Sequence, residues 1–305
     1  MYIKIGELIQ KLRKQKGITQ ARLAEGIMTR ENLARVENGA QAISNSNLEL
    51  ILEKLGLKAS QLSSYVLKDS EHEFYSLRDE VKNHLARFEF DSAETALKKI
   101  QAMPASKDKI HEQFILTSRV AINFQKDENH AKALETLRTA IKLTIPKFRE
   151  EMVSSYFLTG NDIIIINKIA AIYEEIGRQN EAITLLKQLA DNVRTNYMDE
   201  REKTRNLTFV LCSLTGILST YGQFEEALEL CEEAITAGQR NRVYGLLPIL
   251  MYNAAYCNYN LGFREKVKHM VLQAYYGSLL AGDGGATAYI IDNAKNDFGI
   301  TFEQE

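Results

Sequence analysis

Apolar residues recur at helical spacing along nearly the whole chain. Ile5, Leu8, Ile9 and Leu12 fall at i, i+3, i+4 and i+7, which predicts an amphipathic helix over Lys4–Lys16 that ends at Gly17. Thr19 is a helix N-cap, and Leu23, Ala24 and Ile27 share one face behind it. Thr29 is a second N-cap. Leu33 and Val36 then face inward, and Asn38-Gly39 predicts a left-handed stop. Leu48, Ile51, Leu52 and Leu55 predict a fourth helix over Asn47–Leu55, and Ser60–Val66 a short fifth. Five short helices around one aliphatic core make a small head of residues 1–66.

Residues 67–80 change to a mixed-charge helical pattern without Pro or Gly, which predicts a stiff helical connector. From residue 73 to 305 the pattern repeats. Ala93, Ala133, Ala182, Ala227 and Val267 are equivalent anchors at intervals of 40, 49, 45 and 40 residues. Each anchor lies in an amphipathic helix preceded by another helix, with turns at Gly177, Gly222 and Gly262 in the last three units. Helix–turn–helix units at this period predict an α-solenoid, so the whole chain is expected to be all-α. Gly282–Gly285 leads into one last helix from Ala286 to about Asn296, as a cap or a dimer contact.

Composition adds an asymmetry. The net charge is −2, but residues 1–66 carry ten Lys/Arg against six Asp/Glu. A basic head on an acidic body suits a head that meets nucleic acid while the body stays off the phosphates. Arg30, Glu31, Ala34 and Arg35 share the outward face of the helix that Thr29 begins, and first-turn side chains of such a helix suit the DNA major groove. The longest aliphatic run, Ile163–Ile166, is too short to span a bilayer, and a cytoplasmic location is expected. Cys212, Cys231 and Cys257 form an odd set without metal-ligand spacing and read as reduced packing thiols. Enzyme signatures are missing from the sequence. Gly282–Gly285 lacks a following Lys-Ser/Thr, the five histidines are scattered, and no Ser or Cys has a nucleophile-elbow context. No enzyme activity, cofactor or metal is expected.

The pattern Arg13-x3-Gly17-x-Thr19-Gln20-x2-Leu23-Ala24…Val36-Glu37-Asn38-Gly39 resembles the Xre/lambda-repressor type of helix-turn-helix, with a turn between the helices that reads one residue shorter than usual. The body resembles tetratricopeptide repeats, best at Phe224-x2-Ala227, although its units are longer than the usual ~34 residues and lack the repeat Trp. The whole chain resembles the RRNPP regulators of the Rgg, PlcR and PrgX type. That resemblance implies a cytosolic transcription regulator of the quorum-sensing type, a homodimer on a palindromic double-stranded operator that senses a short signalling peptide. An adaptor tethered to DNA that binds a partner protein, or a phage-type lysis/lysogeny sensor, is the alternative.

The resemblance carries DNA contact onto Gln20, Thr29, Arg30, Glu31, Arg35 and Asn38, and an internal ion pair onto Arg13 and Glu37. Projecting the inner lining of a tetratricopeptide solenoid selects Arg78 and Lys82, then Ser118, Ile122 and Gln125, then Asn167, Ala171 and Glu174. Further along it selects Phe209, Cys212 and Gly216, and then Tyr252, Asn253, Tyr256 and Asn260. Asn side chains suit an extended peptide backbone, tyrosines supply walls with polar tips, and Arg78 and Lys82 suit a carboxylate. Tyr252 and Tyr256 read equally well as inter-repeat packing, and Arg78 and Lys82 as solvated charges.

Overall fold

The computed structural model describes residues 5–56, 69–87, 89–103, 108–124, 129–196 and 199–302. Among them the regular elements are helices. The head contains α1 (Ile5–Gln15), α2 (Gln20–Ala24), α3 (Arg30–Glu37) and α4 (Asn45–Lys54). Side-chain caps start three of the elements. Thr19 accepts from the Arg22 N–H, Thr29 from the Asn32 N–H and Ser44 from the Asn47 N–H. Gly39 at φ +71° closes α3, as the Asn-Gly pair predicts. Ser44 begins α4 two residues before the expected start, because its hydroxyl supplies the cap. Ile27 lies beyond the end of α2, in the turn. The expected fifth helix, Ser60–Val66, lies outside the described residues, and the connector continues from Asp69 into the first body helix.

The body follows as α5 (Asp69–Ala86), α6 (Phe90–Ala102), α7 (Lys109–Asn123), α8 (His130–Thr144), a 3₁₀ turn (Glu150–Ser155) and α9 (Gly160–Glu175). It continues as α10 (Gln179–Thr195), α11 (Glu200–Thr220), α12 (Phe224–Asn241), α13 (Leu247–Asn260), α14 (Arg264–Ala281) and α15 (Gly284–Phe298). The repeat anchors fall in the core: Ala93, Ala182 and Ala227 are fully buried, and Ala133 and Val267 nearly so. The turn glycines Gly177, Gly222 and Gly262 take φ of +77°, +76° and +90°.

The chain divides into two compact units inside the repeats, not after residue 66. One is residues 1–172 with 195–199, and the other 173–194 with 200–305. In the second unit α12 packs on α11, α14 on α13, and α15 on α14. Arg194 holds Glu233 with two hydrogen bonds of 2.9 and 2.7 Å, tying α10 to α12. Tyr252, Ala255, Val267, Val271, Ala274, Ile290 and Ala294 form its terminal core.

In the first unit the head is joined to the repeats by direct contact. Its aliphatic core of Ile9, Leu23, Leu33, Val36, Ile51, Leu52 and Leu55 also contains Phe157, from the segment between α8 and α9. Arg22 and Lys54 stand 5.8 and 5.1 Å from the centre of the Phe157 ring. Lys54 Nζ donates to the Glu25 carbonyl at 2.7 Å, joining the end of α4 to the turn after α2. The Gly160 N–H donates to Glu53 Oε1 at 2.8 Å, Ser46 Oγ donates to Asp108 Oδ2 at 2.6 Å, and Arg78 pairs with Glu49 at 2.7 Å.

A buried knot lies behind this seam. The Asp162 carboxylate accepts from Gln113 Nε2 (2.8 Å) and Thr144 Oγ1 (2.7 Å) on one oxygen. Its other oxygen accepts from the Thr159 N–H (2.9 Å) and Oγ1 (2.7 Å). Gly26, in the turn after α2, sits directly on this region. Its φ is +75°, and a Cβ there would stand 1.8 Å from the Thr144 carbonyl oxygen. Gly26→Ala therefore meets both a left-handed backbone and a backbone clash. It is expected to destabilise the first unit by ~2 kcal/mol or more in denaturant unfolding, whereas Gly17→Ala, in the same backbone region but with open space around it, loses only the backbone part.

Candidate nucleic-acid interface

Helix α3 is held from behind. Arg13 Nε and Nη2 donate to the two Glu37 oxygens at 2.6 and 2.8 Å, and Arg13 Nη1 donates to the Ile18 carbonyl at 2.9 Å. The Glu37 side chain is fully enclosed. Burial alone would push its carboxyl up, but the hydrogen bonds from Arg13 and Gln20 outweigh that and hold it below the usual carboxylate range. The Arg13–Glu37 pairing expected from the helix-turn-helix resemblance is thus present as a two-pronged ion pair.

Gln20 differs from the expectation. Its Nε2 donates to Glu37 Oε2 at 2.8 Å, so its amide braces the ion pair and is not simply turned toward a phosphate. Thr29 caps α3 with its hydroxyl. Arg30, Glu31 and Arg35 are exposed along one face of α3, and Asn38 is exposed at its end. None of the seam residues Ser46, Glu49, Glu53 and Lys54 belongs to this face. The head therefore rests on the repeats through α4 and the turn at Gly26, and the arginines stay open to solvent.

The projected lining residues divide. In the first unit, Ser118 is buried, and Ile122 is packed with Phe74, Leu97 and Phe114 in the core of the first repeats. The less buried stripe of α7 is instead Glu112, Leu116, Arg119 and Asn123, at spacings of four, three and four. The projection is one step out of register there, because Ile115, Ser118 and Ile122 form an equally regular stripe that faces the neighbouring helices. Gln125 lies outside the described residues. Arg78 is committed to Glu49, which corrects the expectation of a carboxylate clamp. Lys82 lies 5.9 Å from the centre of the Phe114 ring. On α9, Ala171 is exposed and Asn167 is buried. The open stripe there is Asn161, Ile164, Lys168 and Ala171.

Lys168 lies on this stripe and is not among the projected residues. Burial lowers the pKa of its ammonium, and among the described residues its Nζ has no ion pair or hydrogen bond. Ile164 and Lys168 were hidden because the run Ile163–Ile166 conceals which isoleucine faces out; only the three-and-four spacing through Asn161 and Ala171 picks out Ile164.

In the second unit, Phe209, Cys212 and Gly216 do lie on the part-exposed stripe of α11, and a Cβ on Gly216 would meet nothing within 4 Å. Burial pushes the Cys212 thiol up to about 12, so it stays a thiol. Glu174 is half-buried. Tyr252 is a core residue: its hydroxyl donates to Asp297 at 2.6 Å and its ring packs on Tyr289 and Phe298. Asn253 is buried and donates to Thr215 Oγ1 at 3.1 Å. Tyr256 is part-exposed between Phe224 and Phe298, and Asn260 is exposed with its amide on the Tyr256 carbonyl. Among the described residues no group of His, Cys, Asp and Glu is placed to hold a metal ion, and no helix is long and apolar enough to cross a membrane.

Fold and site together define a helix-turn-helix head carried on tetratricopeptide-like repeats. Residues 9–62 match the helix-turn-helix family. Similar solved structures span nearly the whole chain. PlcR of Bacillus thuringiensis in complex with the peptide PapR7 and DNA is 19% identical, covers 95% of this chain and 99% of its own, and superposes with a TM-score of 0.64. ComR of S. thermophilus in complex with DNA and its signalling peptide ComS is 16% identical, with 97% and 100% covered and a TM-score of 0.54. The pheromone receptor Rgg2 of Streptococcus dysgalactiae is 16% identical, with 96% and 99% covered and a TM-score of 0.51. Comparison with curated proteins gives no match.

Two outcomes follow from the geometry. Arg35→Ala should cost ~1–3 kcal/mol on a duplex selected in vitro and relax preference at one base pair; an equal loss on every duplex would make Arg35 a phosphate contact. The second concerns pH. Burial raises Glu53 to about 7, against the lowering effect of the Gly160 N–H, with Glu49 and Asp162 adding to the rise. A carboxyl raised in the folded state stabilises that state at low pH, and the contribution is lost as pH climbs from the ordinary carboxylate range through about 7. Lys54, lowered to about 8 by burial, changes protonation only above that window. Hydrogen exchange at α4 should therefore speed up between about pH 5 and 7 more in the parent protein than in Glu53→Gln, after correction for intrinsic rates.

Proposed function

We propose that this chain is a cytosolic transcription regulator of the quorum-sensing type. It binds double-stranded DNA through α3, and its repeats bind a short signalling peptide that alters DNA binding. The observation that carries this reading is the open Arg30–Glu31–Arg35 face on a helix braced by a buried ion pair, in a chain whose full-length fold is similar to structures that hold both DNA and a peptide. Arg30 and Arg35 each offer a fork of donors to guanine O6 and N7, and Glu31 can accept from cytosine N4. One small head neutralises few phosphates, so two heads of a homodimer on half-sites one helical turn apart supply the affinity.

The part-exposed stripe of α11, with Phe209, Cys212 and Gly216, suits a peptide. It offers an aromatic wall, a neutral thiol and open space over Gly216. Lys168, whose Nζ has no ion pair among the described residues, suits a ligand carboxylate.

The test is a thermal-shift screen of short free-acid peptides taken from the reading frames that flank the gene, followed by binding to the selected duplex with and without the best stabiliser. A peptide that raises the melting temperature and changes duplex affinity is expected. If none of them stabilises the protein, the peptide-sensing half of the proposal fails. Gly216→Ala adds a sharper outcome. It should stabilise the free protein by ~0.5–1 kcal/mol, as alanine in a helix does, while weakening the peptide shift by filling the space over α11.

A further inference from the structure

The seam between the head and the repeats contains more than a resting contact needs. A head that merely leaned on the body would keep its own core closed. Here the core is completed by Phe157, which is 5% exposed and lies among Leu23, Leu52 and Leu55 in the same apolar cluster. Three residues further on, Gly160 opens α9, and its N–H is spent on Glu53 of the head. The backbone between them is pinned by Thr159, whose N–H and hydroxyl both donate to Asp162. Residues 157–162 thus hold the head with one end and α9 with the other.

The same first turn of α9 also begins the stripe that faces out. Asn161 Nδ2 donates to Gln113 Oε1 at 2.7 Å, and Gln113 in turn donates to Asp162 and Thr144. Thr144 is the residue whose carbonyl lies against Gly26. Ile164 and Lys168 follow Asn161 on the open side of α9. A displacement of α9 along or about its axis therefore reaches the head by two routes, through Phe157 and Gly160 and through Gln113 and Thr144. Neither route passes through residues 67–80.

We propose that Phe157 and Gly160 form a latch that makes the head move with α9, so that α9 sets the direction in which the Arg30–Arg35 face points together with the Arg78–Glu49 pair from the connector stretch. Both are positioning residues. They touch no expected DNA contact, and the latch leaves the reading face uncovered, so it steers the head without masking it. The proposal rests on the DNA-reading role given to α3 above. It adds the regulation: a ligand on the open side of α9 acts on the helix that aims the head.

The test is a distance measurement on the full chain without ligand or DNA. Spin labels at Lys11→Cys on α1 and Arg119→Cys on α7, both exposed, report head against repeats in a Cys212→Ser background, since Cys231 and Cys257 are buried. The parent should give one narrow distance distribution. Phe157→Ala should broaden it, and Phe157→Leu, which keeps an apolar plug, should restore it. Gly160→Pro, at a first helical position that accepts proline, removes the donor to Glu53 and puts ring carbons against the same carboxylate oxygen, which a Cβ alone would meet at 2.9 Å, so it should broaden the distribution as well. If Phe157→Ala fails to fold, Gly160→Pro decides. A distribution as narrow as the parent's in folded Gly160→Pro, or in folded Phe157→Ala, overturns the latch.

A second arm measures binding to in vitro selected duplexes whose half-sites are moved apart in single base-pair steps. A broken latch should flatten the parent's preference for one spacing. A parent-like preference in variants with broadened distances overturns the steering claim. A parent protein that binds no duplex overturns the DNA-reading function and the steering with it, while the distance result still reports on the mechanical coupling.

Discussion

The buried carboxylate of Asp162 is the constraint on which the first unit depends. A carboxylate away from water must be met by donors, and here four converge on it from α7, α8 and the segment leading into α9. Those donors fix where α9 starts. That start in turn fixes where Gly160 offers its N–H to Glu53 and where Phe157 enters the head. The order of dependence runs from a polar knot in the repeats, through one backbone amide and one ring, to the back of the helix-turn-helix head. Removing the carboxylate would leave Gln113, Thr144 and Thr159 without their shared acceptor, which is why a single buried group has such reach.

The head has its own counterpart in the Arg13–Glu37 pair. Two charges taken out of water hold their place only when their remaining hydrogen-bond sites are filled. Gln20 and the Ile18 carbonyl fill them. The result fixes the C-terminal end of α3 against α1, while Thr29 caps the other end. Helix α3, only eight residues long, is thereby anchored at both ends and can leave its arginines on the outside.

Much of this was legible in the sequence because it is local or periodic. The caps at Thr19 and Thr29, the stop at Gly39 and the repeat anchors from Ala93 to Val267 all follow from spacing and backbone chemistry. The Arg13–Glu37 pair was reachable through the helix-turn-helix resemblance. The seam was not legible. Glu53 and Gly160 are 107 positions apart, and nothing in either neighbourhood marks the other. Phe157 sits in a segment without periodicity, so its place in the head's core left no trace. Arg78 was read as a ligand clamp because its partner, Glu49, belongs to a helix that sequence reading placed in another domain. Ser118 and Ile122 failed for a different reason. On a helix buried on most sides, a rule that selects one stripe cannot tell the open side from a packed one. On α11, where one side is open, the same rule selects part-exposed positions.

The close approach of Gly26 to Thr144, together with Phe157, bears on how such heads can be exchanged. A helix-turn-helix cut at residue 66 and grafted onto a foreign body would carry an unfilled hollow where the Phe157 ring belongs, and a turn shaped to fit a surface no longer there. Chimeras with a junction at that boundary inherit the exposed face of α3 without its support. A transferable unit would have to include the stretch around residues 144–162, some eighty residues into another part of the chain. The helix-turn-helix motif and the repeats therefore share one core, although the two sequence motifs lie far apart along the chain.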